Sequence, residues 1–291
     1  MQRTAVVTDT NSGITPEEAK TLGIYAMPMP VIADSETYYE GQNMTHEMLY
    51  GFMKEDKDLS TSQPSPGDVT GLWEQLLADG YDSVLYVPMS SGLSGSCAAA
   101  TALAAEYEGK VAVADVHRIS VTLRDAVLDA KFFADQGLSA QEIKAKIEEN
   151  AANSVVYLGV DTLKYFKKNG RATAAAVAVA TVLNLKPILI TEGGKFDSFA
   201  KVRGIKAAKE RIIEAVRHEQ AERFRNVPLE RLHLAAASTL PTKEEEEAWR
   251  QFVQDAFPEY QVTYDPLSCS IACHTGIGAV GVGLSMIQRS K

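Results

Sequence analysis

The stretch Ser83-Val84-Leu85-Tyr86-Val87-Pro88-Met89-Ser90-Ser91-Gly92-Leu93-Ser94-Gly95-Ser96 decides the fold class. Ser83 to Pro88 reads as a buried strand, and the polar, glycine-bearing loop Ser90 to Ser96 feeds an alanine-rich helix through Tyr107. Strand, loop and helix in this order build parallel α/β sheets. Upstream, Thr4 to Thr8 is a buried strand and Asp9-Thr10-Asn11-Ser12-Gly13 the loop leaving its C-terminal end. Pro16 opens a short helix that Gly23 closes. Ile24 to Ile32, interrupted by Pro28 and Pro30, suits an edge or connecting segment. A helix is expected from Thr45 to Lys54. Another is expected over Gly67 to Leu77, with Ser65 as cap and Pro66 at the first helical position.

Downstream, Lys110 to Asp115 reads as a strand and Ser120 to Gln136 as a helix. Ser139-Ala140-Gln141-Glu142 is a capping box opening a helix to Asn150. The alternation restarts with a strand over Val155 to Val160, and Asp161 is expected to cap a short helix containing Leu163, Tyr165 and Phe166. Lys168-Asn169-Gly170-Arg171 is a turn before a small-residue helix from Ala172 to Leu183. Lys186 to Thr191 and Phe196 to Val202 form a hairpin around Glu192-Gly193-Gly194-Lys195. A helix over Ile205 to Glu222, a strand over Leu232 to Ala237 and a helix from the Thr242 cap to Phe257 follow. Val262 to Asp265, Ser268 to Cys273 and Gly278 to Ile287 are expected as the last strands. The expectation is two closely packed α/β domains, 1–152 and 153–291, with a cleft between them. Ligands of open α/β sheets sit at the C-terminal ends of strands, where Asp9, Ser90 and Asp161 fall.

At 291 residues, 45% hydrophobic and 23% charged, the chain has the composition of an ordinary globular protein. Its net charge of −9, without a basic tail or a basic-aromatic cluster, argues against a nucleic-acid partner. The start runs straight into a strand, and Ala172 to Leu183 is too short to span a bilayer, so a cytoplasmic location is expected. Cys97, Cys269 and Cys273 are too few and too odd for a disulfide scaffold. Cys269, Cys273 and His274 lack the second cluster of a structural zinc site, so these cysteines read as small buried apolar residues and no metal is expected.

Three polar stretches carry the functional signal: Thr61-Ser62-Gln63-Pro64-Ser65-Pro66, Ser90 to Ser96, and His274-Thr275-Gly276-Ile277-Gly278. Ser65 and Pro66 are explained by the helix they start, whereas Thr61, Ser62 and Gln63 are not. In the second stretch, Gly92 and Gly95 allow close backbone approach, and a helix start offers unpaired N–H groups. The same residues also serve as ordinary cap and turn residues. The order Gly-Leu-Ser-Gly-Ser misses the nucleophile elbow and lacks the lysine of a P-loop. His274 can donate to a carboxylate or play a structural part. A triad of Ser94, His274 and Asp9 can be written down, but its test is geometric. Arg171 and Arg203 stand beside glycines at turns, where arginines either solubilise or anchor a partner.

Together with Val7-Thr8-Asp9, Lys168-Asn169-Gly170-Arg171 and Lys186-Pro187-Ile188-Leu189, these stretches occur in an order and spacing that resembles the DegV family of bacterial lipid-binding proteins. Its better understood members are the fatty-acid-binding subunits of fatty acid kinase. The likeness covers essentially the whole chain. It implies two α/β domains, the N-terminal one Rossmann-like, holding one long-chain fatty acid at the interdomain region with no cofactor. The carboxylate-binding pair falls on Thr61 and Ser62, the glycine-rich loop on Ser94 and Gly95, and the histidine on His274, with Thr275 beside it. The resemblance further implies a protein that is not itself an enzyme and that presents the fatty acid to a separate kinase. That kinase makes acyl phosphate for phospholipid synthesis. Arg203 matches the kinase-docking arginine and Arg171 the glycine-arginine turn, and both Arg171 and Asp9 are read as either structural or site-edge residues. Transient membrane contact is compatible with this role. Alternatives are a lipid store or sensor without a kinase, and a Ser/His acyl hydrolase.

The chain departs from the pattern in three places. Val116-His117-Arg118-Ile119-Ser120-Val121-Thr122-Leu123-Arg124 replaces a serine- and glycine-rich segment, Asn169 replaces glycine, and Ile277 stands where proline is common. The first change bears on the pocket wall and therefore on chain-length preference.

Overall fold

The structure is a computed structural model that describes residues 2–178 and 185–290. Elements are numbered in chain order. The first sheet is wholly parallel and consists of β1 (Thr4–Asp9), β2 (Tyr25–Met27), β6 (Ser83–Val87) and β7 (Val111–Val113), in the order β2-β1-β6-β7. Period-two alternation makes it two-faced. Ala5, Val7, Val84 and Tyr86 pack with Val69, Trp73 and Leu76 of α3 (Pro66–Ala78) and Cys97 and Ala100 of α4 (Ser96–Ala104). Val6 and Leu85 point the other way, into a core with Val127 of α5 (Ser120–Asp135) and Ile143 of α6 (Ala140–Glu149). The chain reverses its direction of travel across the sheet between β1 and β6. The loops leaving these two strands therefore flank a topological switch point, where such sheets hold ligands.

The second sheet has the order β10-β9-β8-β13-β11-β12. Its strands are β8 (Ser154–Gly159), β9 (Leu185–Thr191), β10 (Asp197–Arg203), β11 (Leu232–Ser238), β12 (Thr263–Pro266) and β13 (Val280–Met286). Only β11 and β12 pair in parallel. One face packs against α9 (Ile205–Ala221) and α10 (Lys243–Ala256) through Ile212, Val216, Trp249 and Val253. The other face shares a core with α5, which lies between the two sheets. Gly283 makes that approach possible, because a Cβ there would lie 2.6 Å from Val121 Cγ2.

A three-stranded antiparallel sheet, ordered β4-β3-β5, was not expected from the sequence. It contains β3 (Pro30–Ala33), β4 (Glu36–Tyr39) and β5 (Leu59–Thr61). With α2 (His46–Lys54) it forms a small core that takes in Cys269, Ala272 and Cys273. Those last residues correct the expected strand over Ser268 to Cys273. They belong to α11 (Cys269–Thr275), capped by the Ser268 side chain and ended by Gly276 at φ 76°. Asp161 does not cap the next short helix, α7 (Lys164–Asn169). Its carboxylate pairs with Lys186, and Thr162 Oγ1 accepts the Lys164 N–H instead. Of the expected small-residue helix, α8 (Ala174–Val177) is present, and residues 179–184 lie outside the described ones.

Candidate ligand-binding site

A cavity of about 690 Å³ of empty space, counted to its open mouth, lies where the loops after β1 and β6 meet β5, α7 and α11. Each polar residue reaches it for a local reason. Thr61 ends β5, in register with Val31, and the Ser62 N–H continues the ladder to the Pro30 carbonyl at 3.2 Å. Ser94 and Gly95 sit at the start of α4, whose N-cap is Gly95 with no side-chain cap, and Ser94 Oγ accepts the Ser96 N–H at 3.2 Å. His274 and Thr275 occupy the last turn of α11. Arg171 follows the left-handed Gly170 that ends α7, and its carbonyl accepts the Phe196 N–H at 3.0 Å.

The expected Thr61, Ser62, Ser94, Gly95, His274 and Thr275 therefore line one cavity, and Arg171 lines it with them. Thr61 Oγ1 and His274 Nε2 lie 2.9 Å apart although 213 positions separate them in sequence. Burial, with the Arg171 charge adding to it, pushes the His274 pKa down from 6.5 to about 3, so the ring is neutral near pH 7. Among the described residues its Nδ1 is buried without a hydrogen-bond partner.

Asp9 is fully buried and accepts hydrogen bonds from the Asn11 N–H and the Met89 N–H, each at 3.0 Å. It clamps the two switch-point loops together and makes no bond to His274. Ser94, His274 and Asp9 thus form no relay: the histidine pairs with Thr61 and the aspartate with backbone. Arg203 is exposed at the far end of β10, whose entry point beside Phe196 is at the cavity, and it does not line the cavity.

The apolar wall comes from Met29, Met89, Leu93, Ile119, Phe166, Phe196 and Ile271, of which the sequence pointed to the pocket wall only for the segment holding Ile119. Ile119 belongs to the segment that departs from the family pattern, and it does face the cavity. Asn11 and Ser270 add polar groups, and Asn11 Oδ1 accepts from the hydroxyls of Ser268 (3.1 Å) and Ser270. Read as a helix, Ser270, Ile271 and His274 share one face, and the Ser268 cap and Gly276 stop were the available signals. The loop after β6 is fixed by close backbone contact. A Cβ on Gly92 would sit 2.5 Å from the Gly193 carbonyl oxygen, and the Ser90 hydroxyl donates to that same oxygen.

A neutral buried His274 makes stability depend on pH. Below its ordinary pKa of 6.5 the unfolded chain takes up a proton that the folded ring refuses until about pH 3. This contribution is therefore present above 6.5 and lost as pH falls through the window. Asp9 and Asp265, raised to about 6 chiefly by burial, act oppositely, since their contribution is present below 3.8 and lost as pH rises through about 6. His274→Gln is expected to gain roughly 2 kcal/mol relative to wild type between pH 7 and pH 5. Urea denaturation at the two pH values checks this, and a pH-independent difference would sink it.

Fold and cavity together define a mixed α/β protein built around a site that is lined by both polar groups and apolar side chains. A sequence model described as "uncharacterised protein, DegV family" matches residues 3–286. A DegV domain-containing protein of Deinococcus radiodurans is 31% identical over 285 residues, covering 98% of this chain and 99% of the relative. The chain belongs to the DegV family. A fatty-acid-binding DegV family protein from Thermus thermophilus superposes with a TM-score of 0.86 at 28% identity, covering 98% of this chain and all of that one. One from Streptococcus agalactiae, also fatty acid binding, gives 0.84 at 26% identity over 99% of this chain and all of its own. Among the described residues no helix is long and apolar enough to cross a membrane.

Proposed function

We propose that this protein binds one long-chain fatty acid and presents its carboxylate to a partner fatty acid kinase. In this reading it is a non-catalytic cytoplasmic subunit whose two α/β units, 1–152 and 153–291, meet at the ligand. The observation that carries the reading is the polarity of the cavity. Hydroxyls, a helix start, a neutral histidine and an arginine gather at Thr61, Ser62, Ser94, Gly95, His274 and Arg171, while the remaining wall is largely apolar. Each methylene removed from water contributes roughly 0.8 kcal/mol, so a tail of about fourteen supplies on the order of 11 kcal/mol gross. Ordering costs reduce that figure substantially. A carboxylate in such surroundings stays ionised only if charge-assisted hydrogen bonds replace water. The fatty-acid-binding relatives from Thermus thermophilus and Streptococcus agalactiae support the same ligand class.

Mass spectrometry of organic extracts of the purified protein tests the ligand, which is expected to be a stoichiometric long-chain fatty acid. An empty protein or a different amphiphile would overturn the reading. For the partner, Arg203→Glu is expected to leave lipid content unchanged and to reduce acyl phosphate formation at least tenfold in a reconstituted kinase assay. Wild-type turnover by the variant would remove Arg203 from the docking surface. A kinase that is never stimulated, with lipid still bound, would make the protein a store or sensor. Ester turnover without any partner would favour a hydrolase.

A further inference from the structure

Away from the cavity, three side chains with metal-binding atoms converge where the three-stranded sheet meets α11. Glu40 follows β4, His46 is the first residue of α2, and Cys269 is the first of α11. One carboxylate oxygen, one imidazole nitrogen and the thiol sulfur all lie within 4.8 Å of one another. His46 Nε2 is 4.0 Å from Glu40 Oε1. The carboxylate is already oriented. Glu40 Oε1 accepts the Cys269 N–H at 2.8 Å, which leaves Oε2 buried and, among the described residues, without a hydrogen bond of normal geometry. Its polar neighbours are the Cys269 thiol and the Thr10 hydroxyl.

We propose that Glu40, His46 and Cys269 bind a divalent cation of the zinc class. One O, one N and one S ligand suit tetrahedral zinc, with water in the fourth position. Zinc–ligand bonds of about 2.0–2.3 Å require the three atoms to draw in by roughly 1 Å, and the half-exposed His46 ring has room to move. On binding, Cys269 loses its thiol proton to solvent. His46 Nε2 gives up its 2.7 Å contact with the Leu267 carbonyl, its proton moving to Nδ1. The cation ties the β4–α2 connection to the first turn of α11, the helix whose last turn carries His274. The site does not depend on the identity of the ligand in the cavity.

The test uses chelator-treated full-length protein with Co2+ and Zn2+ as probes. Expected are one equivalent of Co2+ bound with tetrahedral visible bands and a thiolate charge-transfer band, and slower amide exchange across Cys269–Thr275 with Zn2+. His46→Ala and Cys269→Ser should each weaken Zn2+ binding at least tenfold in calorimetry, with Cys97→Ser and Cys273→Ser unchanged. His46 is half-exposed, so its variant keeps the test informative should Cys269→Ser fold poorly. A Co2+ spectrum without thiolate ligation, or wild-type Zn2+ affinity in His46→Ala, would overturn the site. Unchanged exchange in α11 would overturn the linkage to His274.

Discussion

Arg171→Ala is expected to weaken long-chain fatty acid binding by roughly 10- to 100-fold, the largest functional effect of any single substitution in the cavity. Among the described residues lining the cavity, Arg171 alone carries a formal charge near pH 7, because His274 is held neutral. Hydrogen bonds to charged groups contribute about 1.5–3 kcal/mol each, and a carboxylate deprived of one is left partly desolvated. Its cheapest escape is to take up a proton. The Arg171→Ala protein should therefore recover affinity as pH falls, whereas wild type should not. Arg171→Lys keeps the charge but loses the planar fork, so an intermediate loss is expected. His274→Ala should cost less than Arg171→Ala, since it removes a neutral donor and strands Thr61. Equilibrium titration with a long-chain fatty acid at pH 6 and pH 8 checks these expectations. Wild-type affinity in Arg171→Ala would remove the arginine from the headgroup clamp.

The second large effect concerns stability. Arg289→Ala is expected to cost about 3–5 kcal/mol, the usual penalty for stranding buried charges, and to lower Tm by roughly 10 °C. Arg289 Nη2 lies 2.7 Å from Asp125 Oδ1 and its Nη1 2.9 Å from Asp129 Oδ1, and both carboxylates are almost wholly buried. The two aspartates are not equivalent. Burial works to raise both, and Asp129 does end above the usual range. Asp125 is instead held down to about 2, because His233 as well as Arg289 faces it, with His233 Nδ1 at 2.9 Å. The stabilisation from Asp125 is thus present above about pH 4 and is lost as pH falls toward 2. Acid unfolding in that window should be blunted in Arg289→Ala, which has already lost part of the network. A denaturant midpoint within error of wild type would show that the contacts of Arg289 are made at no net gain.

Local signals made most of the chain legible. The Ser65 cap with Pro66 and the Ser139–Glu142 capping box bound α3 and α6 as expected. The hydrophobic runs at Thr4 and Ser83 became the central strands of the first sheet. Where local signals were short or mixed, packing decided. Ser268 to Cys273 is too short for its periodicity to separate helix from strand, and the small core under α2 settles it as helix. Glu36–Tyr39 and Leu59–Thr61 are short strands without strong alternation, held by pairing to β3 on either side.

By itself the sequence determined much of the strand–loop–helix alternation, the Ser65 and Ser139 caps, and the place of the Ser90–Ser96 loop between a strand and a helix, because those features rest on hydrogen bonds and periodicities spanning a few residues. Only the tertiary structure decided that Thr61 meets His274, and that Arg171 rather than Asp9 is the charge beside that ring. It alone set an apolar wall of residues drawn from six separate segments around the cavity. Such contacts arise from how whole elements pack, and no spacing along the chain encodes them.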